Sequence, residues 1–504
     1  MNPALRLQRA LQGWVLLGLL SFALLPWYFL QQMSLMDALP GIWAGAETAS
    51  GWVQASGHGR PWLWSGLAGL LVCGLAVLVP WTARTQGWLL LLGSLIGLLG
   101  LLGSGFAIGA TGWVFESLTT LWGVLPTGQY GMGWGAALVL FSLVVLLGAA
   151  LARLGAFRGD VFVASAVVLC SALLALFVVY PVLRSLVAAW VDDTGAYAWM
   201  HLLERVATER VWGFGCVQGA GRCGVAWNTL WLAFITATGT TVMGTLLALW
   251  AERGNTRLAK PLNILAMLPI ITPPFVVGLG LILLFGRAGL FNQALEWAFG
   301  VEPGRWFYGV FGIWLAQMFA FTPIAFMIMR GVVQGVSPSM EEAAQTLRAS
   351  RMQTFWTVTL PLLKPGLANA FLVGFIESMA DFGNPIIVGG QYAVLSTEIF
   401  FAIVGAALDP GMAAALALVL TGFALAVFFV QRQVLAGSSF TTVSGKGDAG
   451  VAMALPPAVL RVCRSIAGPW LLFTVVVYLF AFAGGFVQTW GRDFTFTLGH
   501  FKTA

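Results

Sequence analysis

Charge is what this sequence most lacks. Asp, Glu, Lys and Arg make up 9% of its 504 residues, against roughly 25% in an ordinary soluble domain, so a water-facing surface cannot be built from it. Histidine is scarcer still: His58, His201 and His500 are the three present, far apart and without ligand spacing, which argues against a histidine metal site. No Ser-His-Asp grouping, nucleophile elbow or zinc motif falls on a common side, and enzyme readings recede accordingly. A motor of its own is also missing. The nearest imitation of a phosphate loop, Ser444-Gly445-Lys446-Gly447, has Gly447 where Ser or Thr is required and Phe440 where the first glycine belongs.

What fills the chain instead is apolar, 59% of it. A hydrocarbon layer of ~30 Å needs ~20 mostly apolar residues in a helix to span it. We count eleven such runs: Leu11 to Leu30, Trp62 to Pro80, Trp88 to Ile108, Gly133 to Leu151, Phe162 to Leu183, Trp227 to Trp250, Pro261 to Phe285, Phe307 to Met329, Gly366 to Val388, Met412 to Phe429 and Ile466 to Phe486. Their continuous Leu, Val and Ala exclude a membrane barrel, whose strands alternate apolar and polar. The fold class is therefore all-α, a polytopic helical bundle. Arg6 and Arg9 precede the first run but no small-residue cleavage site follows it, so it reads as a retained helix and not a signal peptide.

Placing the amino terminus inside puts most of the twenty-five basic residues in cytoplasmic segments, clearest in the short loops. The net charge of +6 then reflects topology and gives no argument for nucleic-acid binding. The same assignment places Cys216 and Cys223 outside, in a compartment that permits disulfides. A disulfide and two free thiols both remain open there. Cys73, Cys170 and Cys463 read as plain thiols.

Four stretches emerge along the chain. Residues 1–155 carry no interpretable polar motif and read as accessory helices; 156–435 hold six spans, a long outside loop and one polar cytoplasmic loop. Residues 436–460 have linker composition, with Gly437 to Gly450 at their centre. Residues 461–504 begin a second unit that reads as incomplete.

The polar loop carries the chemistry. Ser337 followed by Pro338, and the Ser339 to Glu342 spacing, are two overlapping helix-start signals. Met340, Ala343, Ala344 and Leu347 fall on one face, while Glu341, Gln345 and Arg348 point elsewhere. Such a helix is too short to span. It either lies on the lipid interface or fills a groove in a partner.

Glu342-Ala343-Ala344, followed by Val358-Thr359-Leu360-Pro361, resembles the cytoplasmic coupling loop of type-1 binding-protein-dependent ABC transporter permeases. The resemblance covers roughly Phe162 to Arg432. Ile271 to Phe275, with Pro273 and Pro274, and Glu377 to Pro385 look like the ferric-iron importer branch. It implies a type-1 permease fold in the bacterial inner membrane. It further implies cytoplasmic ATPase subunits that hold ATP and magnesium, a periplasmic substrate-binding protein, and a second permease unit or homologous chain. No cofactor would be bound by this chain. In the family the loop docks in an ATPase cleft, so Glu342, Ala343 and Ala344 would carry nucleotide-driven motion into the membrane. One departure stands out: Arg348 occupies the bend where the family usually has glycine. Arginine disfavours φ > 0, so either this bend uses ordinary backbone angles or the loop couples weakly.

Glu377 and Asp381, four residues apart in a predicted span, and Asn384 just beyond, are candidates for the translocation pathway. The competing reading has them bonding neighbouring helices. Pro273 and Pro274 interrupt a span and predict a kink or a polar notch. For a ferric cargo, hard oxygen ligands are the expected chemistry. Three other readings stand beside ferric import: import of thiamine, a polyamine or aminoethylphosphonate, a non-transporting membrane scaffold, and an ion-driven secondary transporter using the two carboxylates as a proton relay.

Overall fold

A computed structural model of the chain describes residues 3–29, 41–43, 48–109, 112–113, 116–125, 130–191, 197–216, 223–254, 259–272, 274–406, 408–435, 453–489 and 493–503. Eleven helices among them are long and apolar enough to cross a membrane. Strands among the described residues form three short antiparallel pairs, so the protein is all-α and polytopic. Pro273 and most of the linker lie outside the described residues.

The chain forms two compact units, residues 1–183 and 184–504. The first holds α1 (Pro3–Leu24), α2 (Trp64–Leu78), α3 (Ala83–Ala107), α4 (Trp134–Arg153) and α5 (Val161–Leu174). The first span lies earlier than the hydropathy suggests: α1 stops at Leu24, two residues before Pro26, whose ring pushes the preceding residue out of the helical region. Tyr28 and Phe29 then pair with Met132 and Gly131. Helices α2 and α3 meet backbone to backbone, since a Cβ on Gly69 would fall 2.4 Å from the Gly93 carbonyl oxygen. Small residues that permit such approach are how helices associate where lipid offers no hydrophobic drive. Leu70, Leu90, Leu143 and Leu146 fill the core around that contact.

The second unit contains α6 (Val225–Arg253), α7 (Ala259–Ile271), α8 (Pro274–Phe285), α9 (Val310–Gln334), α10 (Pro338–Thr346), α11 (Leu360–Ala380), α12 (Gly383–Val388), α13 (Leu395–Val404), α14 (Pro410–Leu435) and α15 (Pro457–Gly484). Two spans differ from their hydropathy outlines. The run from Pro261 to Phe285 is two helices, broken between Ile271 and Pro274, and the stretch long enough to cross is Val276–Phe299. Pro274 opens α8, where a missing N–H costs no hydrogen bond. The run from Gly366 to Val388 likewise splits: α11 ends at Ala380, and Asn384 and Pro385 belong to the separate α12.

Helix α6 is the centre of this unit. A Cβ on Gly244 would sit 2.7 Å from the backbone of Ala325 and Phe326 on α9, and one on Gly374 of α11 would meet Thr240 Oγ1 at 2.9 Å. Both neighbours therefore pack against α6 through positions with no side chain. We expect Gly244→Leu to force α6 and α9 apart at a cost of about 1–3 kcal/mol. A lowered melting temperature of the detergent-solubilised protein, with Gly244→Ala between wild type and Leu, is the check.

Candidate functional site

The loop between α9 and α11 folds as sequence chemistry dictates, with one exception. Ser337 is the N-cap of α10 and Pro338 its first residue, so of the two start signals the earlier sets the boundary. The Ser339–Glu342 spacing forms no capping box, because the helix has already begun at Pro338; a capping box with a plain Ser-x-x-Gln signature opens the next short helix. The Ser350 hydroxyl accepts from the Gln353 N–H at 3.3 Å and the Ser350 N–H donates to Gln353 Oε1 at 2.8 Å. From Arg351 the helix passes through a π-turn at Phe355–Thr359 into α11 without interruption. Leu360 and Pro361 thus lie within a continuous helix that runs from Arg351 to Ala380.

The exception is Arg348. Its φ is +63°, so the bend does not use ordinary backbone angles. The Ala349 N–H reaches the Ala344 carbonyl at 3.1 Å and the Arg348 N–H reaches that of Gln345 at 2.8 Å. This is a Schellman C-cap, which places a left-handed residue where glycine is usual. A side chain there costs roughly 1–2 kcal/mol, and the two cap bonds hold it. We expect Arg348→Gly to relieve that strain and leave the bend in place, read as slower amide hydrogen exchange over residues 344–350.

The apolar face of α10 is turned away from the protein, and Glu342, Gln345 and Thr346 beside it are exposed too. Leu347 is 83% exposed and Met340 48%; Glu342 and Ala343 are exposed and Ala344 half-buried. Trp356, on the π-turn, adds another 59% exposed side chain. Glu341 points the other way, into the protein. Its carboxylate pairs with Arg253 at the end of α6, accepts the Thr359 hydroxyl at 2.7 Å and accepts the Met453 N–H at 3.3 Å. Neither Glu341 nor Arg253 stood out in the sequence, because the partners are 88 residues apart and no local pattern connects them.

A second polar cluster lies among α6, α9 and α11. Gln317 accepts hydroxyl hydrogens from Thr236 (2.9 Å) and Ser378 (2.7 Å). Its amide donates to the Ser378 carbonyl (3.2 Å) and to Asp381 Oδ2 (3.0 Å). Asp381 also accepts from the Asn384 N–H at 3.2 Å and from Asn384 Nδ2 at 2.8 Å. The two candidate carboxylates therefore part company. Asp381 caps the end of α11 within a network that ties helices together. Glu377 is exposed on the side of α11; its carbonyl accepts the Asp381 N–H at 3.0 Å, and its side chain forms no hydrogen bond or ion pair among the described residues.

Beyond the other end of α6, Cys216 and Cys223 are joined as a disulfide, their Cα atoms 4.7 Å apart. They edge an open cavity of about 1120 Å³ lined also by Trp227, Trp231 and Phe234. Arg210 and Glu398 pair across its rim at 2.6 Å. No group of three or more metal-binding side chains occurs among the described residues.

The chain is thus a multi-pass helical bundle with a folded polar loop between two spans and a buried polar network among α6, α9 and α11. A profile of the family described as "Binding-protein-dependent transport system inner membrane component" matches residues 241–436, which include the loop and, apart from Thr236, the Gln317 network. The chain is 38% identical over 74% of its length to the ferric transport system permease protein FbpB of Actinobacillus pleuropneumoniae, and 38% identical over 74% to a putative ferric transport system permease of Haemophilus influenzae. It is 33% identical to the molybdenum transport system permease protein ModB of Mycobacterium bovis, over 38% of this chain and 74% of that one. Among solved structures, a bacterial alginate ABC transporter chain aligns with a TM-score of 0.46 at 18% identity, over 56% of this chain and 96% of that one. The chain belongs to the family of binding-protein-dependent transport system inner membrane components. It spans about half the length of the ferric relatives, 52% and 57% of them.

Proposed function

We propose that the protein is a permease of an ATP-driven bacterial importer, lying in the inner membrane with its amino terminus in the cytoplasm, and that its cargo is ferric ion. The observation that carries the reading is the outward apolar face of α10, Met340, Ala343 and Leu347, with Glu342 beside it. An apolar patch on a rigid, doubly capped loop is what a groove in another protein recognises. The partner is an ATPase subunit, since this chain has no phosphate loop; that subunit holds ATP and magnesium. A binding protein on the opposite face delivers cargo toward the cavity edged by Arg210 and Glu398, and a second permease unit completes the route.

Ferric ion is favoured because the relatives named for it match three quarters of the chain, whereas those named for molybdenum match about a third. Glu377 offers the hard oxygen that such a cargo requires, and its side chain, unpaired among the described residues, suits a transient contact. The test is co-purification with ATPase subunits expressed alongside. Wild type captures one of them, and Glu342→Ala, which removes an exposed charge contact, weakens capture by no more than severalfold. Absence of capture by the wild type refutes the reading.

A further inference from the structure

Arg253 and Glu341 are an ion pair taken almost completely out of solvent, with side chains 2% and 1% exposed. Such a pair is a poor device for stability, because desolvating two charges offsets their attraction and apolar replacements are often neutral or better. Its geometry suggests a different use. Both carboxylate oxygens are occupied: one by Arg253 and the Thr359 hydroxyl, the other by the Met453 N–H. Arg253 in turn donates to the Val333 carbonyl near the end of α9 at 3.3 Å, and its own carbonyl accepts the Leu455 N–H at 3.3 Å. One pair thereby joins the last residue of α6, the last turn of α9, the loop helix α10, the π-turn that leads into α11, and the segment that enters α15.

We infer that the Arg253–Glu341 pair is the junction through which displacement of α10 reaches the membrane helices, including α15 beyond the linker. This rests on the permease reading above, in which a partner moves α10. Glu341 is a positioning residue, and its neighbour Glu342 is the one presented to the partner. The two adjacent acids divide the work by direction: one face of α10 is held by the protein, the other is free to be pushed. Because both oxygens of Glu341 are engaged, α10 cannot shift alone without breaking several bonds together. The helices it touches must move with it.

The test uses the full chain with spin labels at Thr346→Cys and Val462→Cys in a Cys170→Ser background, comparing the paired protein with Arg253→Met, Glu341→Leu and the double variant. Each single variant leaves one buried charge unpaired and is expected to lower the melting temperature by several degrees; the double variant recovers it. In the paired protein the label-to-label distance is a single narrow population, and in the folded double variant it widens into more than one. Thr359→Val, which removes one donor and keeps the charges paired, remains folded and widens the distribution less. A double variant that melts like wild type and keeps the narrow distance overturns the inference, as do single variants with unchanged melting. These readings need no ATPase, so they are separate from the capture assay, whose failure would count against the permease reading itself.

Discussion

Replacing Gln317 with Leu is expected to destabilise the second unit by about 2–3 kcal/mol. The side chain makes four hydrogen bonds, to Thr236, to the Ser378 hydroxyl and carbonyl, and to Asp381. Hydrogen bonds between membrane helices are worth ~0.6 kcal/mol each on average, with a ceiling near ~1.7, and four of them sum to that range. Leucine is close to glutamine in volume, so no sizeable cavity contributes and the loss belongs to the polar groups left behind. Thr236→Val removes one bond and is expected to cost about a quarter as much. Unfolding of the purified protein in mild detergent, followed by intrinsic tryptophan fluorescence, is the measurement. Equal effects from the two variants would mean that Gln317 is no hub.

The largest effect on function is expected from Leu347→Asp. Leu347 is 83% exposed in this chain, so the substitution removes little internal packing and the melting temperature should stay within error of wild type. In a partner's groove the same side chain would be buried, which is worth about 1.5–3 kcal/mol for leucine. Each 1.4 kcal/mol is tenfold in affinity, so capture of the ATPase subunit is expected to fall at least about tenfold, before any added cost of burying a carboxylate. Glu342→Ala, which removes only an exposed charge, is expected to do less. The order of the two variants distinguishes an interface held by apolar contact from one held by charge.

Much of this was readable in the sequence, for identifiable reasons. The spans announce themselves because a bilayer imposes length and apolarity on each one separately, and the motif from Glu342 to Pro361 sits in a single continuous loop. The break after Ile271 is legible from Pro274, whereas hydropathy alone averages across the break after Ala380 that the Asp381–Asn384 contacts create. Helical periodicity put Met340, Ala343, Ala344 and Leu347 on one face but could not say which way that face turns. The direction is set by Glu341, drawn inward by Arg253 from the far end of α6. Asp381 was legible as an intramembrane acid, while its occupation by Gln317, 64 residues away, was not. Arg348 shows a different limit. Backbone preference argues against a left-handed arginine, and the two cap bonds donated by the N–H groups of Arg348 and Ala349 prevail over that preference.

The central claim is that the apolar face of α10 docks into a protein and does not rest on lipid. A photoreactive amino acid placed at Leu347 and activated in intact cells tests it directly. The account predicts one major adduct, containing an ATPase subunit of the same transport system and lost when that subunit is absent. Adducts with phospholipid alone would contradict it and make α10 an interfacial helix.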